Sequence, residues 1–185
     1  MACTMEAETA DPLRISLEEE NCCFLDQLAD FVAGLDPATY QHVSGAYGGN
    51  GIGRQVRHIL EHAFVLVYDE SGVLDYEARD RDRTLENSPE AAARALRRAS
   101  RELSAMIARR PLEESVLVAQ ALESPSGWER SWTSSTFQRE LMALSSHTVH
   151  HMALVAMLAA QHGVELDPDF GVAPSTKRYW EACKT

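Results

Sequence analysis

Residues 136–162 read TFQRELMALSSHTVHHMALVAMLAAQH and are the longest stretch of the chain with a helical apolar period. Leu144 and Leu158 fall in the same sector of a helical wheel as His147 and His151. The stretch therefore predicts a long helix from about Thr136 to His162. Its apolar stripe faces a core, and two histidines project from that stripe.

Outward from this stretch, the same period and the usual helix start and stop signals predict three further helices. They run from about Ile15 to Leu35, from Ile52 to Glu70 and from Ser88 to Arg109. Residues 72–87 are charged and without a period, which indicates a long surface connection. Residues 115–134 alternate loosely around a turn, a pattern compatible with a small β-hairpin between helices three and four. The sequence predicts an all-α fold, a four-helix bundle with long crossover connections, as one domain over residues 1–185.

Composition narrows the classes of partner. The chain has 185 residues and a formal net charge of −11, so phosphate-rich partners such as nucleic acid or an anionic membrane would be repelled. No apolar run approaches the roughly 18 residues of a membrane span, and the first residues lack the pattern of a signal peptide. We therefore expect a cytoplasmic protein with no nucleic acid and no membrane as partner.

The histidines carry the main chemical signal. His147 and His151 are four residues apart, about 40° on a helical wheel, so both imidazoles can reach one metal ion. His150 points about 100° away from His151 and is a poorer ligand. Helix two offers His58 and His62 for a third ligand, and the wheel favours His62, at the edge of the apolar arc. Hydrogen bonds to backbone carbonyls or to Glu140, without any metal, remain the alternative.

Several motifs of well-known enzymes are missing from the sequence. There is no HExxH of zinc peptidases, no nucleophile elbow, no phosphate-binding loop and no dinucleotide fingerprint. Paired carboxylates with ExxH on two helices, the mark of ferritin-like di-iron proteins, are also absent.

Two blocks, IGRQVRHILEH at residues 52–62 and SSHTVHHMALVAM at residues 145–157, resemble the DinB family of damage-inducible and related bacterial proteins. The resemblance implies a four-helix bundle in which His58, His147 and His151 form a histidine triad around one divalent metal ion. It places His62 and His150 beside the site. His58 thus takes the place of His62, which the helical wheel favours, as the ligand from helix two.

Three neutral imidazoles would leave a metal ion with open positions, as in catalytic zinc sites; nickel is equally suitable and iron is acceptable. Through the resemblance, we expect a metal-dependent transferase that joins a low-molecular-weight thiol to a small electrophile, ahead of a hydrolase. The alternative is a non-catalytic, stress-associated metal-binding module. Glu140, on the face of His147, is the candidate proton-handling carboxylate or a structural partner of a histidine. A small-molecule substrate and a homodimer complete the expectations.

Overall fold

The computed structural model describes residues 11–45 and 48–183. Ala46 and Tyr47, in the glycine-rich loop before the second predicted helix, and the N-terminal residues examined for a signal peptide up to residue 10 lie outside these ranges. Within the described ranges the chain forms seven helices and three strands. They are α1 (Pro12–Ala33), α2 (Pro37–Gln41), α3 (Ile52–Val67), β1 (Val73–Asp75), α4 (Arg83–Asn87), α5 (Pro89–Arg109), β2 (Ser115–Ser124), β3 (Gly127–Thr136), α6 (Phe137–Gln161) and α7 (Pro174–Ala182).

The four long helices α1, α3, α5 and α6 surround a common core. Helix α1 packs against α5 and α6, and α3 packs against the same two helices. Their starts follow the local chemistry of the chain: the side chains of Asp11, Ser88 and Thr136 accept hydrogen bonds from the first turns of α1, α5 and α6. The buried apolar side chains of these helices form one contiguous cluster that also includes Leu74 and Val116 of the strands.

The prediction of an all-α four-helix bundle is wrong, because the protein contains a mixed three-stranded sheet in the order β1-β2-β3. Strands β2 and β3 are ten residues each and antiparallel, and they follow α5 and precede α6 in the chain. Strand β1 pairs with β2 in parallel. The sheet forms because Leu74, Val116 and Val118 alternate with exposed residues and bury one face on the helices.

The segment 72–87, predicted as a surface connection, is also structured. It contains β1 and the short helix α4, and it buries Leu74 and Leu85 in the core. Two isolated leucines in a charged stretch give no period, so pattern analysis does not detect either element.

Gly53 sets the closest approach between α3 and α4. A Cβ atom at this position would lie 2.1 Å from the backbone carbonyl oxygen of Glu86. The absence of a side chain therefore lets α4 pack directly on the first turn of α3. This contact places the carboxylate of Glu86 between the guanidinium groups of Arg54 and Arg57.

In the described part of the chain, α6 is the one helix that is long and apolar enough to cross a membrane. An 18-residue window in it has a mean hydropathy of 1.3, and 39% of that window is buried inside the fold. The helix also packs against α1 and α3, and a core helix of this length and composition would pass the same test.

Candidate metal centre

Four histidines meet where α3 packs on α6. His58 and His62 lie one turn apart on α3, and His147 and His151 lie one turn apart on α6, so two adjacent turns of each helix face the other. The ring centroids of His62 and His147 are 3.9 Å apart, and those of His58 and His151 are 4.5 Å apart. All four side chains are partly buried. We call them the histidine cluster.

Three members of the histidine cluster have the geometry of a metal-binding group. The imidazole nitrogens that His58, His62 and His147 would offer all lie within 4.8 Å of one another. The Nε2 atom of His147 is buried and has no hydrogen-bond partner in the described part of the chain. A buried polar atom without a partner costs about 1–3 kcal/mol, which a bound cation would remove. The group could therefore hold a metal ion.

Neighbouring side chains set the tautomers of the other ring nitrogens. The Nδ1 atom of His151 lies 2.6 Å from the amide oxygen of Gln55. This oxygen only accepts, so Nδ1 carries the proton and Nε2 keeps a free lone pair suited to a metal.

At His58 the neighbour is a donor. Nη1 of Arg79 donates to Nδ1 of His58 at 2.6 Å, which leaves the ring proton on Nε2. Binding of a metal at that Nε2 therefore requires the ring proton to move to Nδ1 and Arg79 to give up this bond. Glu61, whose carboxylate oxygen lies 3.5 Å from the same Nη1, is the partner to which Arg79 would turn.

The electrostatics of the cluster favour neutral imidazoles. Burial, followed by the neighbouring His147, lowers the pKa of His58 to about 4 and that of His62 to about 2. Burial, followed by His150, lowers the pKa of His147 to about 4. Burial, followed by His147, lowers the pKa of His151 to about 3. All four rings are neutral near pH 7, and this is the form that binds metals.

A cleft of about 450 Å³ borders the cluster on the side of the sheet, and we call it the sheet-side cleft. His62, His147 and Glu140 line it. Glu140 is buried, and its two oxygens accept hydrogen bonds from Tyr76 at 2.9 Å and from Ser135 at 2.6 Å. The ring of Tyr76 stacks on that of His62 with the centroids 5.1 Å apart. Glu140 thus reaches the cluster through Tyr76 and not through a direct bond to a histidine.

A second cleft, of about 530 Å³, borders the cluster on the side of α4, and we call it the arginine cleft. His58 and His151 line it together with Arg54, Arg57, Arg83, Glu86 and others. The histidine cluster therefore separates two clefts, and each of them is bordered by one histidine from α3 and one from α6.

The structure brings the predicted ligands His58, His147 and His151 together and places His62 in the same cluster. Which three of the four bind a metal stays a prediction. His150 is exposed, and its ring lies 5.0 Å from that of His151 on the outer side. Sequence reasoning considered both histidines of α3 but chose between them, whereas the packing of α3 on α6 admits both.

Three residues that contact the cluster were missed from the sequence: Gln55, Tyr76 and Arg79. A signal existed for Gln55, which lies on the helical face of His58 and His62 and is a polar residue beside the apolar arc. Tyr76 and Arg79 lie in the segment taken for a surface connection, and no local pattern links them to the histidines.

Comparisons with known proteins assign no family to the chain. No protein-family model matches it, and no solved structure matches it. The chain is similar to a protein of Rhizopus delemar named FK506-binding protein 5, with 27% identity over 107 residues. This similarity covers 58% of the present chain and 27% of that protein. The match thus spans about a quarter of the length of that relative.

Proposed function

We propose that this protein binds one divalent metal ion in the histidine cluster and uses it to transfer a low-molecular-weight thiol to a small electrophile. Zinc and nickel suit three imidazole ligands best, and iron is acceptable. The observation that carries the proposal is the buried Nε2 of His147, which has no hydrogen-bond partner among the described residues and lies inside a group of nitrogens within 4.8 Å of one another. A core of hydrogen-bonded histidines would satisfy this atom.

Two sets of three ligands compete within the cluster. The resemblance to the DinB family favours His58, His147 and His151, and the hydrogen bond from His151 to Gln55 supports this set by leaving Nε2 free. The mutual distances favour His58, His62 and His147. Either set leaves an open coordination position, as catalytic sites do.

A metal ion bound here would supply Lewis acidity that lowers the pKa of a thiol or a water molecule. In the transfer, the thiol loses its proton, a carbon–sulfur bond forms, and the bond from carbon to the leaving group breaks. The leaving group takes up a proton, so that thiol and electrophile give thioether and protonated leaving group. The preference for transfer over hydrolysis rests on the resemblance to the DinB family.

Side chains of the sheet-side cleft would orient the site. Glu140 holds the hydroxyl of Tyr76 at 2.9 Å, and Tyr76 in turn stacks on His62. We assign Glu140 as a positioning residue that fixes the ring of His62 through Tyr76. Replacement of Glu140 by Gln keeps its shape and is expected to alter the metal affinity less than replacement by Ala does.

The test is the metal content of the purified, untagged protein, measured by elemental analysis for the parent and for single alanine variants at the histidines. We expect about one metal per chain in the parent and in His150→Ala, which is the matched control on the same helix. His147→Ala should lose the metal. If His62→Ala keeps the metal and His151→Ala loses it, the result supports the ligand set from the resemblance. If His62→Ala loses the metal and His151→Ala keeps it, the result supports the ligand set from the distances.

The same samples test the function. Metal-loaded parent is assayed with simple thiols and electrophiles for thioether formation, and with esters and amides for hydrolysis. A parent that binds no metal after zinc and nickel are added overturns the proposal. Metal binding without thiol transfer would favour the non-catalytic, stress-associated metal-binding module, and metal-dependent hydrolysis would favour the hydrolase.

We further propose a cytoplasmic homodimer, since small helical bundles often pair through a helix face. The exposed side chains of Tyr179 and Trp180 on α7, a helix with no buried residue, offer apolar surface for such a contact. Sedimentation equilibrium of the parent and of a Trp180→Ala variant measures the mass. A monomer at all concentrations would contradict the dimer.

A further inference from the structure

The arginine cleft is chemically unlike the rest of this acidic protein. The chain carries a formal net charge of −11, yet three guanidinium groups line one cleft beside the histidine cluster. They belong to Arg54 and Arg57 on α3 and to Arg83 on α4. Glu86 is the carboxylate that lines the same cleft. An acidic protein that concentrates positive charge in a cleft has the electrostatics of an anion-binding site.

Positive charge exceeds negative charge in the arginine cleft, where Arg54 and Arg57 share the carboxylate of Glu86. One of its oxygens lies 2.9 Å from Nε of Arg54 and the other 2.6 Å from Nη1 of Arg57. These contacts hold the two guanidinium groups in place, and Arg54 is fixed further by a bond to the carbonyl oxygen of Gly49 at 2.5 Å. Arg57 also pairs with Glu61 at 3.3 Å, and Glu61 is shared with Arg79 at 3.5 Å. Two carboxylates therefore serve the three guanidinium groups of Arg54, Arg57 and Arg79, which leaves a surplus of positive charge.

Arg83 adds the third positive charge. Arg83 is exposed, and its guanidinium group forms no ion pair with any carboxylate in the described part of the chain. It lies in the first turn of α4, directly after the helix cap Asp82. No carboxylate among the described residues thus pairs with Arg83, while Arg54 and Arg57 line the same cleft with guanidinium groups that carboxylates hold in place.

The cleft also leads to the proposed reaction centre. His58 and His151 form its inner boundary, and its volume of about 530 Å³ is within the range of pockets that hold small molecules. Guanidinium groups bind carboxylates and phosphates through paired charge-assisted hydrogen bonds. A molecule in this cleft would place an oxyanion among the arginines and its other end at the histidines.

We propose that the arginine cleft binds the carboxylate or phosphate group of a small substrate whose reactive end lies at the histidine cluster. This inference rests on the proposed function, because the cleft is a substrate site only if the cluster is the reaction centre. The sheet-side cleft, on the other side of the cluster, is then the route for the second reactant. The substrate class follows: one of the two reactants is an anion.

The experiment measures binding of small oxyanions to the metal-free full-length protein by isothermal titration calorimetry at low ionic strength. Succinate probes for a carboxylate, inorganic phosphate for a phosphate, and succinamide is the uncharged control. The variants are Arg83→Ala and Arg54→Lys, which keeps the charge but loses the planar fork. Arg101→Ala, an exposed arginine on α5, is the matched control.

We expect succinate or phosphate to bind the parent and Arg101→Ala equally, and succinamide not to bind. Arg83→Ala should weaken binding by about 5- to 20-fold, since one charge-assisted contact is lost. Arg54→Lys should weaken it as well. The tighter of the two anions identifies the group that the substrate carries.

Equal affinity in Arg83→Ala and Arg101→Ala, or no binding of either anion to the parent, overturns the inference. The outcome is independent of the metal, because the protein is stripped of metal before the titration. A protein that binds metal but not anions therefore contradicts this inference alone. A protein that binds anions but never a metal contradicts the proposed function, and the cleft is then no substrate site.

Discussion

The pH dependence of metal binding is the sharpest test of the electrostatics of the histidine cluster. Protons compete with metals for imidazole nitrogens, so a fall in pH weakens a histidine site once the rings take up protons. In this protein the rings resist protonation, because burial and the neighbouring histidines lower their pKa values. The perturbation is a change from pH 7.5 to pH 6.0.

The expected magnitude follows from the protonation of three ligands. Three ordinary imidazoles with a pKa near 6.5 would lose about 50-fold in apparent affinity over this range. In the cluster, His58 and His147 have a pKa of about 4 and His62 of about 2. At pH 6.0 these rings remain about 99% neutral, so the loss is less than about 1.1-fold. Proton competition begins only near pH 4.

The assay is a zinc competition titration against a chromophoric chelator, with the affinity of the chelator corrected for its own protonation at each pH. His150→Ala serves as the control. It leaves the four histidines of the cluster in place and removes a neighbouring imidazole that contributes to the lowered pKa of His147. A fall of several tens-fold between pH 7.5 and pH 6.0 would show that the ligands titrate as ordinary surface histidines. That result would refute the argument from burial.

Three further predictions follow from the same structure. The metal-free protein should lose stability in urea as the pH falls from about 6.5 towards 4, because unfolded histidines with a pKa near 6.5 take up protons that the folded cluster, with its lower pKa values, does not. Gln55→Ala should weaken zinc binding by about 10- to 100-fold in the competition titration, because Gln55 orients the ring of His151. Gly53→Ala should lower the free energy of unfolding by about 1–3 kcal/mol, measured by urea titration, since its Cβ would meet the carbonyl oxygen of Glu86.

Each of these has an outcome that would contradict it. A flat stability profile between pH 7.5 and pH 5 would mean that the cluster accepts protons in the folded state. Unchanged zinc affinity in Gln55→Ala, with Gln41→Ala as the exposed glutamine control, would remove the role of the amide. A fully stable Gly53→Ala would mean that α4 moves away from α3 without cost.

The helical part of the fold could be read from the sequence because its signals are local. The structure places α1, α3, α5 and α6 within a few residues of the four predicted segments. Proline and side-chain caps mark the starts of α1 and α5, and an apolar period of 3.6 residues marks their buried faces. These signals act between residues no more than four positions apart.

Only part of the sheet could be read in this way, because the alternation around a turn in residues 115–134 indicated the hairpin of β2 and β3, whereas β1 left no local signal. Strand β1 is three residues long and pairs with β2 across some forty residues of chain, so neither its length nor its partner is a local property. Leu74 is fully buried in the core that the helices form, so the strand depends on contacts with elements that are distant in the chain. The all-α prediction was wrong because the hairpin of β2 and β3 gains a third strand, β1, whose parallel pairing with β2 leaves no pattern in either segment alone.

The sequence by itself determined the spacing of the histidines on each helix, since a helical turn is set by backbone geometry. Only the tertiary structure decided that His58 and His62 both face His147, because the angle at which α3 packs on α6 depends on the whole core. The contacts of Gln55 and Arg79 with the rings were decided there too. Helical periodicity is local, whereas the desolvation and hydrogen bonding that suit a histidine to a metal arise between elements that are distant in the chain.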